Sequence, residues 1–297
     1  MLQMVRNITL SLGALLLFNS CESHDLKGFL FPTGPGVEKR FEQSMDMTSG
    51  QPVATLQTSE EYEIYVCTDP HIDKTSRNLC KFNDDLRNDA NASFGVILGD
   101  CTDRRDNLTA YLNAIRHSEE KHIYDYPLFH LVGNHDVQFN GWEEFRTHIG
   151  PSVYRFETRF TDGADLFIAL DSGTGTLGRQ QISWLRSLLA KERDKYRHCI
   201  ILTHTHLFYT DKSQGLSGNM SMEETMALTD LFNRHRVTLV LQGHAHYRKD
   251  LTYGHVRYTT LGAIADKTAS PEYLKIRISQ KDTRYEWIRL RHAGNNP

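Results

Sequence analysis

The chain has 297 residues, of which 39% are hydrophobic and 24% charged, a composition within the ordinary range for folded, water-soluble proteins. Its formal net charge is -3 and its lysines and arginines are scattered, so it lacks the basic footprint expected of a binder of nucleic acid or of an anionic membrane. The length admits one large domain or two ordinary ones, and no internal repeat is visible.

In chain order, the first feature is a short leader. Arg6 supplies a modest positive charge, and residues 8–18 form an apolar stretch of roughly eleven residues, too short to span a bilayer. It ends in Phe18-Asn19-Ser20-Cys21, a small residue before a cysteine, which resembles a bacterial lipoprotein signal. The expectation is a signal peptide over residues 1–20, export, and a lipid on Cys21 as the protein's contact with membrane at the cell envelope. An ordinary secretory signal or an uncleaved anchor is the alternative. Residues 21–60 carry Pro32, Pro35 and Pro52 among Gly, Ser and Thr, and suit a linker or loosely packed lead-in.

From residue 61 onward, apolar runs alternate with helical patterns, as in an α/β domain covering 61–297. Five runs read as buried strands: 64–67, 94–98, 128–132, 199–202 and 238–241. Each is followed by a polar cluster: Asp69-Pro70-His71, Gly99-Asp100-Cys101-Thr102-Asp103, Gly133-Asn134-His135-Asp136, His204-Thr205-His206 and Gly243-His244-Ala245-His246. Helical spacing marks 74–88, 108–122 and 180–196, and Ser221 followed by Glu224 reads as a capping box opening another helix. Residues 166–170 read as a strand ending at Asp171-Ser172-Gly173, with no ligand pair after it. The tail gives three more strands, at 258–261, 273–278 and 285–290. Loops beyond the carboxyl ends of strands converge on a ligand site in α/β sheets. Asp, His and Asn there offer hard oxygen and imidazole nitrogen, suited to Mn, Fe, Zn or Mg. Cys67, Cys80, Cys101 and Cys199 show no disulfide-framework spacing and read as free thiols. Trp142 and Tyr209 follow two of the loops and are candidate pocket walls, weighed against ordinary loop or core aromatics; His130 reads as a core histidine.

The five clusters, in this order, resemble the calcineurin-like metallophosphoesterase family, whose pattern runs D-x-H, G-D-x-x-D, G-N-H-D/E, a His after a strand, and G-H-x-H. The resemblance implies two mixed β-sheets packed face to face with helices on both outer sides, a four-layer sandwich. It implies two divalent or transition metal ions (Mn, Fe or Zn) sharing a hydroxide that attacks a small phosphorylated substrate, a mono- or diester. Asp69, His71, Asp100 and His246 would hold one ion; Asp100 would bridge to a second held by Asn134, His204 and His244. His206 stands where the family has a Pro, and leaves His204 or His206 as the residue after the strand, with His204 at the matching position. His135 would be the general acid and Asp103 would pair with and orient it, while Arg104 is a candidate for holding phosphate oxygens. The duty of Asp136 is not fixed by the motif. Two other readings stand beside the hydrolase: a metal-containing surface binding module without turnover, and a nuclease of the same superfamily, which export and the absence of a basic patch disfavour.

Overall fold

The computed structural model describes residues 34–116, 126–208 and 219–290. The leader, Cys21 and Tyr209 lie outside the described residues, so the signal and lipid expectations are not addressed by the fold. Among the described residues no helix is long and apolar enough to cross a membrane.

The elements run α1 (Val37–Thr48), β1 (Thr55–Gln57), β2 (Tyr62–Cys67), α2 (Arg77–Asn88), β3 (Ala92–Ile97), α3 (Leu108–Arg116), β4 (Leu128–His130), α4 (Asn134–Val137) and α5 (Gly141–His148). They continue with the hairpin β5 (Tyr154–Phe160) and β6 (Gly163–Leu170), then α6 (Gly178–Glu192), β7 (Cys199–Thr203), α7 (Met222–Arg234) and β8 (Leu239–Gln242). The strands β9 (Lys249–Tyr253), β10 (Val256–Thr260), β11 (Glu272–Ile278) and β12 (Thr283–Arg289) complete the fold.

Two mixed sheets result. One is seven-stranded, ordered β1-β5-β6-β7-β8-β10-β9, and the other five-stranded, ordered β12-β11-β2-β3-β4. Within them β2, β3 and β4 run parallel, as do β6, β7 and β8, so their carboxyl ends carry the polar clusters. The two inner faces meet in one apolar core of Ile64, Val66, Phe94, Val96, Phe156, Phe167, Ile200 and Leu241. Phe94 of one sheet stands edge-on to Phe156 and Phe167 of the other, at 5.3 and 5.2 Å between ring centroids, in the arrangement aromatic quadrupoles favour. A second core packs α2, α3 and α5 on the outer face of the smaller sheet, and a third packs α6 and α7 on the larger. Strands buried on both faces explain the continuous apolar runs, and the four-layer sandwich is the architecture observed.

Three local expectations change. Part of the lead-in is not a linker: residues 37–48 form α1, whose Arg40 is buried and paired with Asp171 at 2.8 Å. The strand β5 pairs along its length with β6, on a Tyr154-Phe156-Thr158 alternation that the strand reading passed over. At the start of α7, Ser221 Oγ accepts from Glu224 N at 3.2 Å, but the Glu224 carboxylate reaches Thr176 and the Leu177 N–H instead of closing the box.

Candidate metal centre

Left-handed backbone concentrates at the strand ends. Asp69, His71, Asp100, His244 and His246 have φ of 51, 41, 50, 68 and 58°, a region that side chains with a Cβ avoid. Such conformations cost of order 1–3 kcal/mol each and persist where the surrounding structure over-determines them. The loops brace one another through main-chain bonds: Asp69 N donates to Gly99 O, His71 N to Asp100 O, and Gly243 N to His204 O, at 2.9–3.1 Å. Glycines permit the closeness. A Cβ on Gly133 would stand 2.2 Å from Asp100 Oδ1, and one on Gly243 would stand 2.0 Å from Thr68 Oγ1.

The side chains form two groups flanking Asp100. In the first, His246 Nε2 lies 3.2 Å from Asp69 Oδ1 and 3.1 Å from His71 Nε2, which is itself 3.6 Å from Asp69 Oδ1. In the second, Asn134 Oδ1 lies 2.8 Å from His244 Nδ1 and 3.1 Å from His204 Nε2, and the two imidazole nitrogens are 3.3 Å apart. Asp100 Oδ2 is 3.6 Å from His71 Nε2 and 3.4 Å from His204 Nε2, so one carboxylate oxygen faces both groups. Ligand atoms bound at 2.0–2.2 Å to one cation lie about 3–3.5 Å from one another. The donor set therefore has the spacing of coordination, and Asp69 Oδ1 is buried without a hydrogen-bond partner among the described residues. The residues fit divalent cations.

The outward ring nitrogens agree. His204 Nδ1 lies 2.8 Å from the Leu98 carbonyl, which makes Nδ1 the donor and leaves Nε2 to face the group. His71 Nδ1 lies 2.8 Å from Asp103 Oδ1, so its Nε2 also faces inward. Without a cation the ionised carboxylates keep protons on two of the histidines. For His71, burial opposes charge, but Asp103, Asp69 and Asp100 raise its pKa to about 10; for His204, burial is outweighed mainly by Asp100, giving about 9. His244 goes the other way, lowered to about 4 by burial and by His204. Burial works against the ionised Asp69 and Asp100, yet the surrounding histidines keep both below the usual carboxylate range.

The remaining predicted residues fall as follows. Asp103 does not turn its carboxylate to His135. It meets His71 on one oxygen and Lys267 Nζ at 3.4 Å on the other, while His135 Nδ1 lies 3.2 Å from the Asp103 main-chain carbonyl. His135 N donates to Asp100 Oδ1 at 2.8 Å, and its ring stands 4.7 Å edge-on to that of His71. Arg104 is exposed on the same loop as Asp103. His206 stays outside both groups, with Nε2 3.3 Å from Asn219 Nδ2. Trp142 is fully buried and donates to Gln43 Oε1 at 2.7 Å, so it is core and not pocket wall. Cys67, Cys80, Cys101 and Cys199 are free thiols.

Two contributors were not recognised in the sequence. Asp136 is buried and ties two loops together, accepting from Cys101 N at 2.9 Å and Gly133 N at 2.8 Å; burial and then Asp100 raise its pKa to about 7. Ser172 Oγ accepts from His204 N at 3.2 Å and Thr205 N at 2.9 Å. The motif contained Asp136 without a task, and Ser172 offered no signal because a serine after a strand is common. An open groove of about 500 Å³, lined by Tyr65, Asp89 and Tyr273, includes none of the candidate ligands.

Residues 62–248 match the calcineurin-like phosphoesterase family, and the chain belongs to it. No curated protein sequence is detectably similar. Among solved structures, the fold is similar to GAP50, the anchor in the inner membrane complex of Plasmodium, with 16% identity, a TM-score of 0.59, and coverage of 77% of this chain and 84% of that one. It is also similar to the purple acid phosphatase PPD1 from yellow lupin (Lupinus luteus) seeds, at 16% identity and a TM-score of 0.57, covering 77% of this chain and 52% of that one. The chain thus spans about half the length of the plant phosphatase.

Proposed function

We propose that the protein is a metal-dependent hydrolase of small phosphate esters. Asp69, His71 and His246 hold one divalent cation, Asn134, His204 and His244 hold a second, and Asp100 stands between them. The observation that carries this reading is Asp100 Oδ2, placed 3.6 and 3.4 Å from the inward nitrogens of His71 and His204. Bound there, ions such as Mn, Fe or Zn supply Lewis acidity to a phosphoryl group and lower the pKa of water.

The chain's own part is positional. Asp100 Oδ1 accepts from His135 N, so the carboxylate joining the two groups also fixes the main chain of the acid. His135 Nδ1 donates to the Asp103 carbonyl, and Nε2 is the nitrogen that protonates the leaving oxygen. Arg104, exposed beside Asp103, is our candidate for holding phosphate oxygens. The low net charge supports a small phosphorylated substrate over nucleic acid. The leader pattern supports export and a lipid on Cys21, which mass spectrometry of the natural N-terminus reads directly.

Purified protein reconstituted with Mn, Fe or Zn and assayed on phosphomonoesters and phosphodiesters tests the reading. Turnover that a chelator abolishes supports it. No turnover with two ions bound overturns it in favour of a metal-containing binding module, a reading that the likeness to GAP50, an anchor, supports.

A further inference from the structure

We propose that α1 is a positioning strap for one half of the centre, the half formed by Asn134, His204 and His244, acting through Arg40, Asp171 and Ser172. The proposal rests on the two-metal reading above. The helix precedes residues 62–248, the span that matches the family, yet it is bonded into the loops behind the site.

Arg40 is buried and grips Asp171 with two bonds, Nε to Oδ2 and Nη2 to Oδ1, both 2.8 Å; its Nη1 donates to Pro35 O at 2.9 Å. Asp171 directly follows β6, and its Oδ1 accepts from Gly173 N at 3.3 Å. Between them Ser172 receives Thr203 Oγ1 at 2.8 Å as well as the N–H groups of His204 and Thr205, and its carbonyl accepts from Thr205 Oγ1 at 2.8 Å. The same turn abuts the other ligand loop, since a Cβ on Gly173 would stand 2.8 Å from Gly133 O and 3.6 Å from Asn134 N.

The rest of α1 holds the surrounding loops. Glu38 accepts from Arg179 N and Gln180 N at the start of α6, Gln43 accepts from Trp142, and Ser44 Oγ accepts from Ser152 N. Among the described residues none of its hydrogen bonds reaches the loops of Asp69, His71 or His246. The strap is one-sided, so its loss has a one-sided effect.

Two variants of the full chain test this. Ser172→Ala keeps the ion pair and removes the acceptor for His204 N. Arg40→Met with Asp171→Leu removes the pair without stranding a buried charge. Each is titrated with Mn(II) alone, in the wild-type background and in backgrounds lacking one ligand, His246→Ala or His244→Ala. The expected result is a loss of about 10–100-fold in affinity for one of two ions, the range for groups that orient metal ligands. The loss persists in the His246→Ala background and vanishes with His244→Ala. Equal loss at both sites, or none, overturns the strap. If the double variant does not fold, Ser172→Ala decides alone. Wild-type protein that takes up fewer than two ions overturns the two-metal reading and the strap with it, whereas a full wild-type complement without one-sided loss overturns only the strap.

Discussion

His204 and His246 close the two halves of the centre under different conditions: the His204 side chain is fully buried, whereas that of His246 is 46% exposed. Their neighbours differ in the same sense. His204 is aimed by a main-chain carbonyl, Leu98 O, which neither titrates nor changes rotamer. In the other half, His71 is aimed by the Asp103 carboxylate, which is shared with a Lys267 side chain 72% exposed. Fixed dipoles in a dry site hold their geometry at no further cost, whereas a solvated ion pair is weak and responds to salt. The two groups thus differ at one ligand and one partner each: His204 is buried and aimed by a fixed dipole, whereas His246 is open to water and His71 is aimed by a carboxylate shared with an exposed lysine.

Asp100 is the one place where this contrast should disappear. Its Oδ2 faces both halves and its Oδ1 holds His135 N. Asp100→Ala should weaken metal binding at both sites by more than about 100-fold, beyond what loss of an outer partner does, and abolish turnover. Metal content by mass spectrometry after dialysis reads it, and a variant that keeps both ions would break the two-half description.

Next in size is His135. It clusters with His71 and Asp103 but is in neither proposed ligand set, so His135→Ala should leave two ions bound and lower kcat by about 10²–10⁴-fold, the usual range for general acid catalysis. The loss should shrink for p-nitrophenyl esters, whose leaving group needs little protonation. Loss of an ion instead would make His135 a ligand.

The asymmetry itself was not legible in the sequence, although its ingredients were. The strand ends carried Asp69, His71, Asp100, Asn134, His204, His244 and His246 in a fixed order, because a buried strand must be apolar and the loop after it is free to be polar. What Asp103 touches is another matter. Its carboxylate could reach either His71 or His135, and only the tertiary placement of the loop selects His71. Ser172 and Arg40 were hidden for a related reason. Arg40 reads locally as a surface cation, and its partner lies 131 residues away. The alternation of β5, by contrast, was readable from Tyr154 to Phe160 and was missed only because no chemistry sits at its end.

Asp103→Asn sharpens the contrast at the next level down. It removes the charge that aims His71 and leaves the Leu98 carbonyl bond of His204 untouched. Metal affinity should fall about 10–100-fold in the half of Asp69, His71 and His246 alone. Because burial of the Asp103–His71 pair is partial, added salt should narrow the gap between wild type and variant. Equal weakening of both halves would mean that the carboxylate braces the whole site.

The smallest effect concerns the metal-free protein and pH. Despite opposing burial, the carboxylates raise His71 to about 10 and His204 to about 9, above the 6.5 of an ordinary histidine. The stability that these two contribute is complete below about 6.5 and is lost as pH rises through 9–10, because the folded state then gives up protons that the unfolded chain has already released. The thermal midpoint of chelator-treated protein should therefore fall between pH 7 and pH 10, by about 2–4 °C for each kcal/mol withdrawn. Metal-loaded protein should not follow it, since bound cations require the same histidines without those protons and bind more tightly as pH rises. Differential scanning of the two forms side by side isolates the effect, because lysines and tyrosines elsewhere titrate equally in both. The comparison also apportions the two halves. With His71→Asn the remaining fall should follow the titration of His204 near 9, and with His204→Asn that of His71 near 10. Parallel declines in loaded and metal-free protein would place the charge that these carboxylates attract somewhere other than on the candidate ligands.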